Sequence, residues 1–380
     1  MLTAIVFILI LGLLIFVHEF GHFVTARRNG IKAEEFGFGF PPRVLGFIKS
    51  EKTGKFKVVW GDRNIQSKNT IYSINWIPLG GFVKIKGEKG ESMDKDSFSS
   101  KNAWIRIKVL VAGVMMNFVL AWILISLVLM IGAPEPIDNS ANNITNSKIQ
   151  ISKIIPDSPA SKMGFQVGDE VVKQQGNTSR SETNIIFKNV KDLQSYISDN
   201  KGQEIILKVK RGDQYFFLKG VPRTDAPEGE GLLGIELMEI ATIKYPWYQA
   251  IWKGLMTVIE LIAAMLQGLY VLLGNVLTGQ KAGVDVSGPV GIAVLTKQVT
   301  ALGLIYILQF AAFLSINLGI INAFPIPALD GGRVLFVIIE KIKGTPVNQK
   351  TEQLFHSVGF MLLILLMLYI TFRDVLKFIK

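Results

Sequence analysis

The sequence predicts a polytopic α-helical membrane protein with about four transmembrane helices, a β-rich cytoplasmic-side loop and one inserted α+β domain. Its 380 residues are 49% hydrophobic, and the mean hydropathy is +0.37. Several apolar runs reach the roughly 20 residues that cross a bilayer as a helix. The chain has no cysteine, so disulfides and thiolate metal sites are excluded, and His, Asp and Glu remain as candidate zinc ligands.

The first predicted transmembrane helix, residues 1–26, contains the sequence HEFGH. Because an α-helix turns every 3.6 residues, His18 and His22 share one face as a two-imidazole metal clamp, and Glu19 lies beside them as a potential general base. Two of the three histidines of the chain are in this motif. Polar groups are costly in hydrocarbon, so the motif indicates an intramembrane site rather than incidental histidines. We expect a retained helix and not a signal peptide, because no basic segment precedes it and no A-x-A-like cleavage site follows.

Charge predicts the orientation of the chain. Residues 26–108 carry 17 Lys/Arg against 8 Asp/Glu, whereas residues 133–246 carry 14 against 15. The first of these loops is therefore predicted to be cytoplasmic and the second to lie outside. This bias also explains most of the net charge of +11, which argues against nucleic acid as a partner.

The cytoplasmic loop, residues 27–104, also carries a strand signal. The segments KFKVVW, NTIYSI and GGFVKIKG are rich in β-formers, and Gly80 and Gly81 allow close approach of backbone. Two interpretations stay open: an exposed sheet edge that pairs with a peptide, or a small hairpin that packs against the membrane.

The second span, residues 105–132, contains AGVMMNF, which places Gly113 and Asn117 one helical turn apart. Such a face serves ordinary helix packing or shapes the site, and the sequence does not favour either. A third transmembrane segment is predicted at 301–333 and a fourth at 355–372, after a loop bearing Lys341, Lys343 and Lys350.

Residues 247–277 are long enough to span the bilayer, but a crossing would invert everything that follows and place Asp330 away from His18. Polar residues also form one stripe along this segment, at Gln249, Lys253, Glu260 and Gln267. We therefore predict a helix or helix pair that lies on, or dips into, the outer leaflet.

Residues 146–239 are ordered as a strand, an SPA turn with a short helix, Gly168–Asp169, a strand, the helix-like KDLQSYISDN, two strands and GLLGIEL. This order resembles a PDZ domain of the bacterial kind. PDZ domains capture extended peptides by strand addition, so a peptide or a substrate ectodomain is the expected partner. Steric gating without peptide affinity is the alternative.

The third metal ligand is predicted from NAFPIPALDGGR, residues 322–333, where Asp330 follows the end of regular helix. Two histidines, one carboxylate and an open water position have the composition of a hydrolytic zinc centre. Asn322 is placed to donate to a developing oxyanion. The alternative for Asp330 is a helix cap, and His356 is interpreted as a packing or interfacial residue.

These motifs together resemble the bacterial site-2 protease family of intramembrane zinc metalloproteases, over essentially the whole chain. The resemblance rests on HEFGH, IPLGGFVKI, AGVMMNF, the PDZ-like domain, SGPVGIA at 287–293 and SINLGIINAFPIPALDGGR. It implies one Zn²⁺ bound by His18, His22 and Asp330, with Glu19 as base. It further implies that substrate is held by Asn322, possibly with Asn317, and by Gly80, Gly81, Phe82, Val83 and Lys84 in a membrane-dipping β-hairpin.

The resemblance also implies a bacterial cytoplasmic (inner) membrane location and single-pass membrane proteins as substrates, such as trimmed anti-sigma factors or signal-peptide remnants. The chain departs from the family in having one PDZ domain where enterobacterial relatives have two, and in Val114 where a proline is usual. Two rival functions are an inactive membrane scaffold, which leaves Glu19 and Asp330 unexplained, and a zinc transporter, which leaves the HExxH spacing unexplained.

Overall fold

The computed structural model describes residues 2–379 apart from 51–52, 63–66, 89–93, 137–146, 173, 176–184, 188, 213, 228, 280–287 and 346. Its elements in chain order are α1 (Leu2–Arg28), β1 (Ala33–Lys49), β2 (Phe56–Trp60), β3 (Ile71–Ile85), α2 (Ala103–Ile131), β4 (Ala133–Pro136), β5 (Lys148–Ile154), α3 (Pro159–Met163), β6 (Glu170–Val171), β7 (Gln174–Gln175), β8 (Ile185–Ile186), α4 (Val190–Asp199), β9 (Ile205–Arg211), β10 (Gln214–Gly220), β11 (Ile235–Ile243), α5 (Trp247–Leu277), α6 (Pro289–Leu302), α7 (Leu304–Ala323), α8 (Asp330–Lys343) and α9 (Gln349–Ile379). The chain divides into two compact units. The first comprises Met1–Ser126, Ile251–Gln298 and Leu308–Lys380, and the second comprises Leu127–Ala250 and Val299–Ile307.

Within the described residues, five helices are long and apolar enough to cross a membrane: α1, α2, α5, α7 and α9. This confirms the predicted polytopic helical class, in which sheet accompanies the helices. Length and composition alone do not distinguish a crossing helix from a long surface helix, so the expectation that 247–277 stays at the outer leaflet remains a prediction. The segment forms one continuous helix in the structure.

The region around the third and fourth spans differs from the expected layout. Asp330 does not lie outside regular helix; it is the first residue of α8. Pro325 and Pro327 interrupt the helical hydrogen bonds after α7, and an amphipathic pattern then restarts a helix. Lys341 and Lys343 accordingly lie in the last turn of α8 and not in a loop. Similarly, α9 begins at Gln349, so His356 lies within that helix and not at its start.

The loop between the first two predicted spans, residues 27–104, forms a sheet in the order β2-β1-β3. Strand β1 was missed by the sequence analysis because glycines and prolines interrupt it, although Phe36, Phe38 and Phe40 alternate as strand residues do. Residues 35–38 of β1 pair on one side with 71–74 and on the other with 81–84 of the long strand β3. The second half of β3 therefore lies at the end of the sheet, and its strand partner within the described part of the chain is β1 alone.

The second unit contains a six-stranded sheet in the order β10-β9-β6-β5-β11-β4. Ser158 and Asn189 cap α3 and α4 with their side-chain oxygens, as N-cap residues do. The core consists of apolar residues from these strands and helices, such as Ile149, Leu193 and Leu207. The succession of elements is the one on which the PDZ prediction rests. However, β11 continues to Ile243 and pairs with β4, so the sheet extends beyond the predicted bounds of 146–239.

Candidate metal centre

Three side chains from α1 and α8 meet in one cluster. His18 Nε2 lies 3.1 Å from His22 Nε2. Asp330 Oδ2 lies 2.9 Å from His18 Nε2 and 3.3 Å from His22 Nε2. Ligand atoms that surround Zn²⁺ tetrahedrally at about 2.0–2.2 Å are roughly 3.3–3.5 Å apart. Both the donor set and its spacing therefore fit zinc.

The close packing of α1 on α2 depends on two glycines. A methyl group at Gly21 would lie 2.8 Å from the carbonyl carbon of Ala112, and one at Gly113 would overlap His22 Nε2 and lie 2.7 Å from His18 Cε1. Because nonbonded carbon atoms ordinarily remain about 3.5 Å apart or more, neither position accepts a side chain without a shift. Gly113 thus gives the two imidazoles the space they occupy.

Helix α2 also fixes the orientation of both imidazoles. His22 Nδ1 lies 2.8 Å from the carbonyl oxygen of Val109, which can only accept, so Nδ1 carries the proton and Nε2 presents its lone pair. The side-chain amide of Asn117 lies 3.2 Å from His18 Nδ1. Turning that amide by 180° places Oδ1, which has no partner among the described residues, on the His18 Nδ1–H. Both imidazoles then direct Nε2 to the cluster, as outer-shell hydrogen bonds do in metal sites.

A short break between α7 and α8 delivers Asp330. A methyl group at Gly331 would lie 2.6 Å from the carbonyl carbon of Ala323, and one at Gly332 would lie 2.9 Å from that of Ile326. The two glycines therefore let α8 start directly against the end of α7. The N-cap of α8 is Leu329 rather than Asp330. The alternative in which Asp330 caps the helix is therefore wrong, and its carboxylate faces the two histidines instead.

The second half of β3, at the end of the three-stranded sheet, lies against α1 one turn before the HEFGH motif. Gly80 has a φ of +84°, and a methyl group there would lie 2.5 Å from Ile15 Cβ. A methyl group at Gly81 would lie 3.0 Å from Phe16 Cδ2. The segment continues through Phe82, Val83 and Lys84. The glycine pair thus lets the predicted substrate-pairing strand approach the helix that carries His18 and His22.

The remaining predicted residues occupy α1 and α7. Glu19 is half-buried and lies between His18 and His22 in the sequence of α1. Asn317 and Asn322 are half-buried on α7, with Asn322 in its last turn. Ser315 of α7 donates a hydrogen bond from Oγ to the carbonyl oxygen of Asn117 at 2.7 Å, which joins α7 to α2 beside the site.

Two ion pairs near the site were not predicted from the sequence. Arg333, one turn after Asp330, pairs with Glu88 in the turn that follows β3. Arg106 of α2 pairs with Glu340 of α8 at 2.7 Å. The pairs link α8 to the turn after β3 and to α2. The sequence indicated only an excess of basic residues, because the partners of each pair lie more than 200 residues apart in the chain.

Comparisons with known proteins show which proteins this chain is similar to. The family model described as peptidase family M50 matches residues 6–366. The chain is 33% identical to a putative zinc metalloprotease of Clostridium acetobutylicum, over 97% of this chain and 96% of the relative. It is 29% identical to the regulator of sigma-W protease RasP of Bacillus subtilis over 98% of both chains. It is 28% identical to the regulator of sigma-E protease RseP of Escherichia coli over 97% of both chains.

Proposed function

Because the chain belongs to peptidase family M50, the site-2 protease family, we propose that this zinc metalloprotease cleaves peptide bonds within the transmembrane segments of single-pass membrane proteins. The observation that carries the proposal is the convergence of three side chains with ligand atoms 2.9–3.3 Å apart. His18 and His22 lie on α1, a helix long and apolar enough to span a bilayer, and Asp330 reaches them from the start of α8. A hydrolytic centre in that position faces substrates that are themselves in the membrane.

The chemistry is divided between the metal and the protein side chains. One Zn²⁺ per chain, held by these three ligands, would polarise the scissile carbonyl and make a water molecule acidic enough to attack it near neutral pH. Glu19 accepts the proton of that water and returns it to the leaving amine. Asn322, with Asn317 one and a half turns before it, holds the substrate backbone and donates to the developing oxyanion.

The substrate must be unwound before it can be cut, because its peptide bonds are hydrogen-bonded within a transmembrane helix. The edge segment Gly80–Lys84 offers an alternative set of backbone partners by strand addition. Its contacts with Ile15 and Phe16 place it one turn from the ligand histidines, which supports this role. Helix-breaking residues in the substrate would lower the cost of unwinding further.

The site is proposed to lie toward the cytoplasmic side of the membrane. His18 is ten residues, roughly 15 Å at 1.5 Å per residue, from Arg28 at the end of α1, and the basic loop that follows α1 is predicted to be cytoplasmic. The domain at 146–239 would then be outside. We propose that it selects substrates whose outer parts are already trimmed, by peptide capture or by steric exclusion.

The outer-leaflet position of α5 is supported by a contact at the far end of α9. Asp374, which is buried, accepts hydrogen bonds from the backbone N–H groups of Gly288 at 2.8 Å and Gly291 at 3.0 Å. Asp374 lies roughly 36 Å along the helix from Lys350 and the basic loop, so α6 begins at the outer face. If α5 crossed, the ten residues between Leu277 and Gly288 would have to recross the bilayer nearly extended, with unsatisfied backbone.

The test is a comparison of zinc content and cleavage of a model membrane helix by purified full-length variants. Glu19→Gln should abolish cleavage and retain zinc, because it removes the proton acceptor and no ligand. His22→Ala and Asp330→Ala should lose both. Glu260→Gln, the same substitution in another apolar helix, is the matched control and should behave as the unmodified protein. Undiminished proteolysis by Glu19→Gln protein would refute the assignment.

A further inference from the structure

His356, the third histidine of the chain, contacts the break that delivers Asp330. Its ring nitrogen Nδ1 accepts a hydrogen bond from the backbone N–H of Ala328 at 2.9 Å. Ala328 is two residues before Asp330 and has a φ of +71°. Among the described non-glycine residues only Asp157 shares a positive φ. The contact therefore falls on the most unusual backbone position near the metal centre.

The break needs an acceptor from outside itself. An alanine in the left-handed region is strained and persists only where neighbouring groups hold it. Ala328 is half-buried, and a backbone N–H shielded from water in a membrane protein also requires a partner, because lipid supplies none. The prolines at 325 and 327 remove the helical pattern that would otherwise provide one. His356 meets both requirements, since its acceptor atom fixes the direction of the Ala328 N–H.

Packing of α9 on the same break supports this contact. A side chain at Gly359, nearly one turn after His356, would lie 2.9 Å from Pro327 Cγ, so only glycine lets α9 approach so closely. The imidazole of His356 also packs on the ring of Phe336 of α8, with a centroid separation of 5.5 Å. The ring of His356 thus projects from α9 and contacts both α8 and the break.

We propose that His356 is a positioning residue for the metal centre. By accepting the Ala328 N–H it fixes the path of residues 324–329, and through that path it sets where the Asp330 carboxylate meets His18 and His22. This role differs from the packing function expected from the sequence, because it requires the acceptor atom and not only the ring. The inference rests on the ligand role proposed for Asp330.

Two amide substitutions separate the acceptor from the size of the side chain. In His356→Asn the side-chain oxygen occupies nearly the place of Nδ1 and can accept from Ala328. In His356→Gln the amide reaches toward the place of Nε2 and loses that acceptor. His356→Leu removes the acceptor and retains an apolar side chain, and Phe355→Leu, at the preceding residue, is the control for substitution in this turn.

The measurement is zinc affinity of the detergent-solubilised full chain, by competition with a chelator, together with kcat and KM for a model membrane helix. We expect His356→Gln and His356→Leu to bind zinc about 10- to 100-fold more weakly, as loss of an outer-shell contact does, and to lower kcat more than they raise KM. The zinc affinities of His356→Asn and Phe355→Leu should stay within about threefold of that of the unmodified protein, because loss of an outer-shell contact weakens binding by clearly more than this.

Two results would overturn the proposal: wild-type zinc affinity in His356→Gln, or equal losses in His356→Asn and His356→Gln, which would assign the effect to the ring. Asp330→Ala, measured in parallel, separates this inference from the proposed function. Retention of zinc by Asp330→Ala would remove the ligand role itself. Loss of zinc in Asp330→Ala with no change in His356→Gln would remove only the positioning role.

Discussion

Replacing Gly113 with alanine is expected to weaken zinc binding without removing any ligand. The added methyl group would overlap His22 Nε2 and lie 2.7 Å from His18 Cε1. Ordinary contacts begin near 3.4 Å, so His18 would have to move by about 0.7 Å, more than the roughly 0.5 Å that a functional site tolerates. Movement of the imidazoles would also strain the hydrogen bonds that join His22 to Val109 and His18 to Asn117.

The magnitude follows from the cost of overpacking. Inserting one methyl group into a tightly packed region costs about 1–3 kcal/mol. If the whole cost falls on the arrangement that binds the metal, zinc affinity decreases by about 5- to 150-fold, at 1.4 kcal/mol per factor of ten. Cleavage at limiting zinc should fall by the same factor, and excess zinc should recover part of it.

The assay is chelator competition on the purified Gly113→Ala protein, with thermal unfolding as a second measurement. Gly268→Ala and Gly274→Ala are matched controls, since a methyl group at either position of α5 meets nothing within 4 Å. Unchanged zinc affinity in Gly113→Ala would refute the reasoning. A lower unfolding temperature with unchanged affinity would show that α1 and α2 separate and that the histidines keep their positions.

Three further predictions test the ion pair, the orientation and the inserted domain. Arg333→Glu should reduce proteolysis about fivefold, because losing a half-exposed ion pair costs roughly 1 kcal/mol. Adding Glu88→Arg should restore part of the lost proteolysis, and a double variant no more active than Arg333→Glu would argue against the pair. Because the chain has no cysteine, single cysteines introduced at Gly229 and at Asp285, which lies outside the described residues, should react from outside, and one at Lys343 only from the cytoplasm. Cytoplasmic reaction at position 285 would show that α5 crosses the membrane. A variant in which a short linker replaces residues 147–239 should retain zinc and should cleave substrates with folded outer domains. If that variant discriminates between short-tailed substrates and substrates with folded outer domains as well as the full chain does, gating is refuted.

Local periodicity determined much of the site in advance. His18 and His22 are four residues apart in an apolar run, so the helical repeat alone places them on one face. The segments KFKVVW and NTIYSI were recognisable as strands because β-formers alternate in them. Strand β1 was not predicted, because its glycines and prolines are typical of loops and its pairing depends on residues 71–85.

The sequence by itself determined which side chains are suited to bind a metal and where the apolar spans lie, because both follow from residue type and from spacings of a few residues. Only the tertiary structure decided which atoms hold those side chains in place. The carbonyl of Val109 that orients His22, and the imidazole of His356 that reaches Ala328, are 87 and 28 residues from their partners. Such contacts depend on how helices pack and on the direction in which a proline break sends the chain, and no local pattern encodes either.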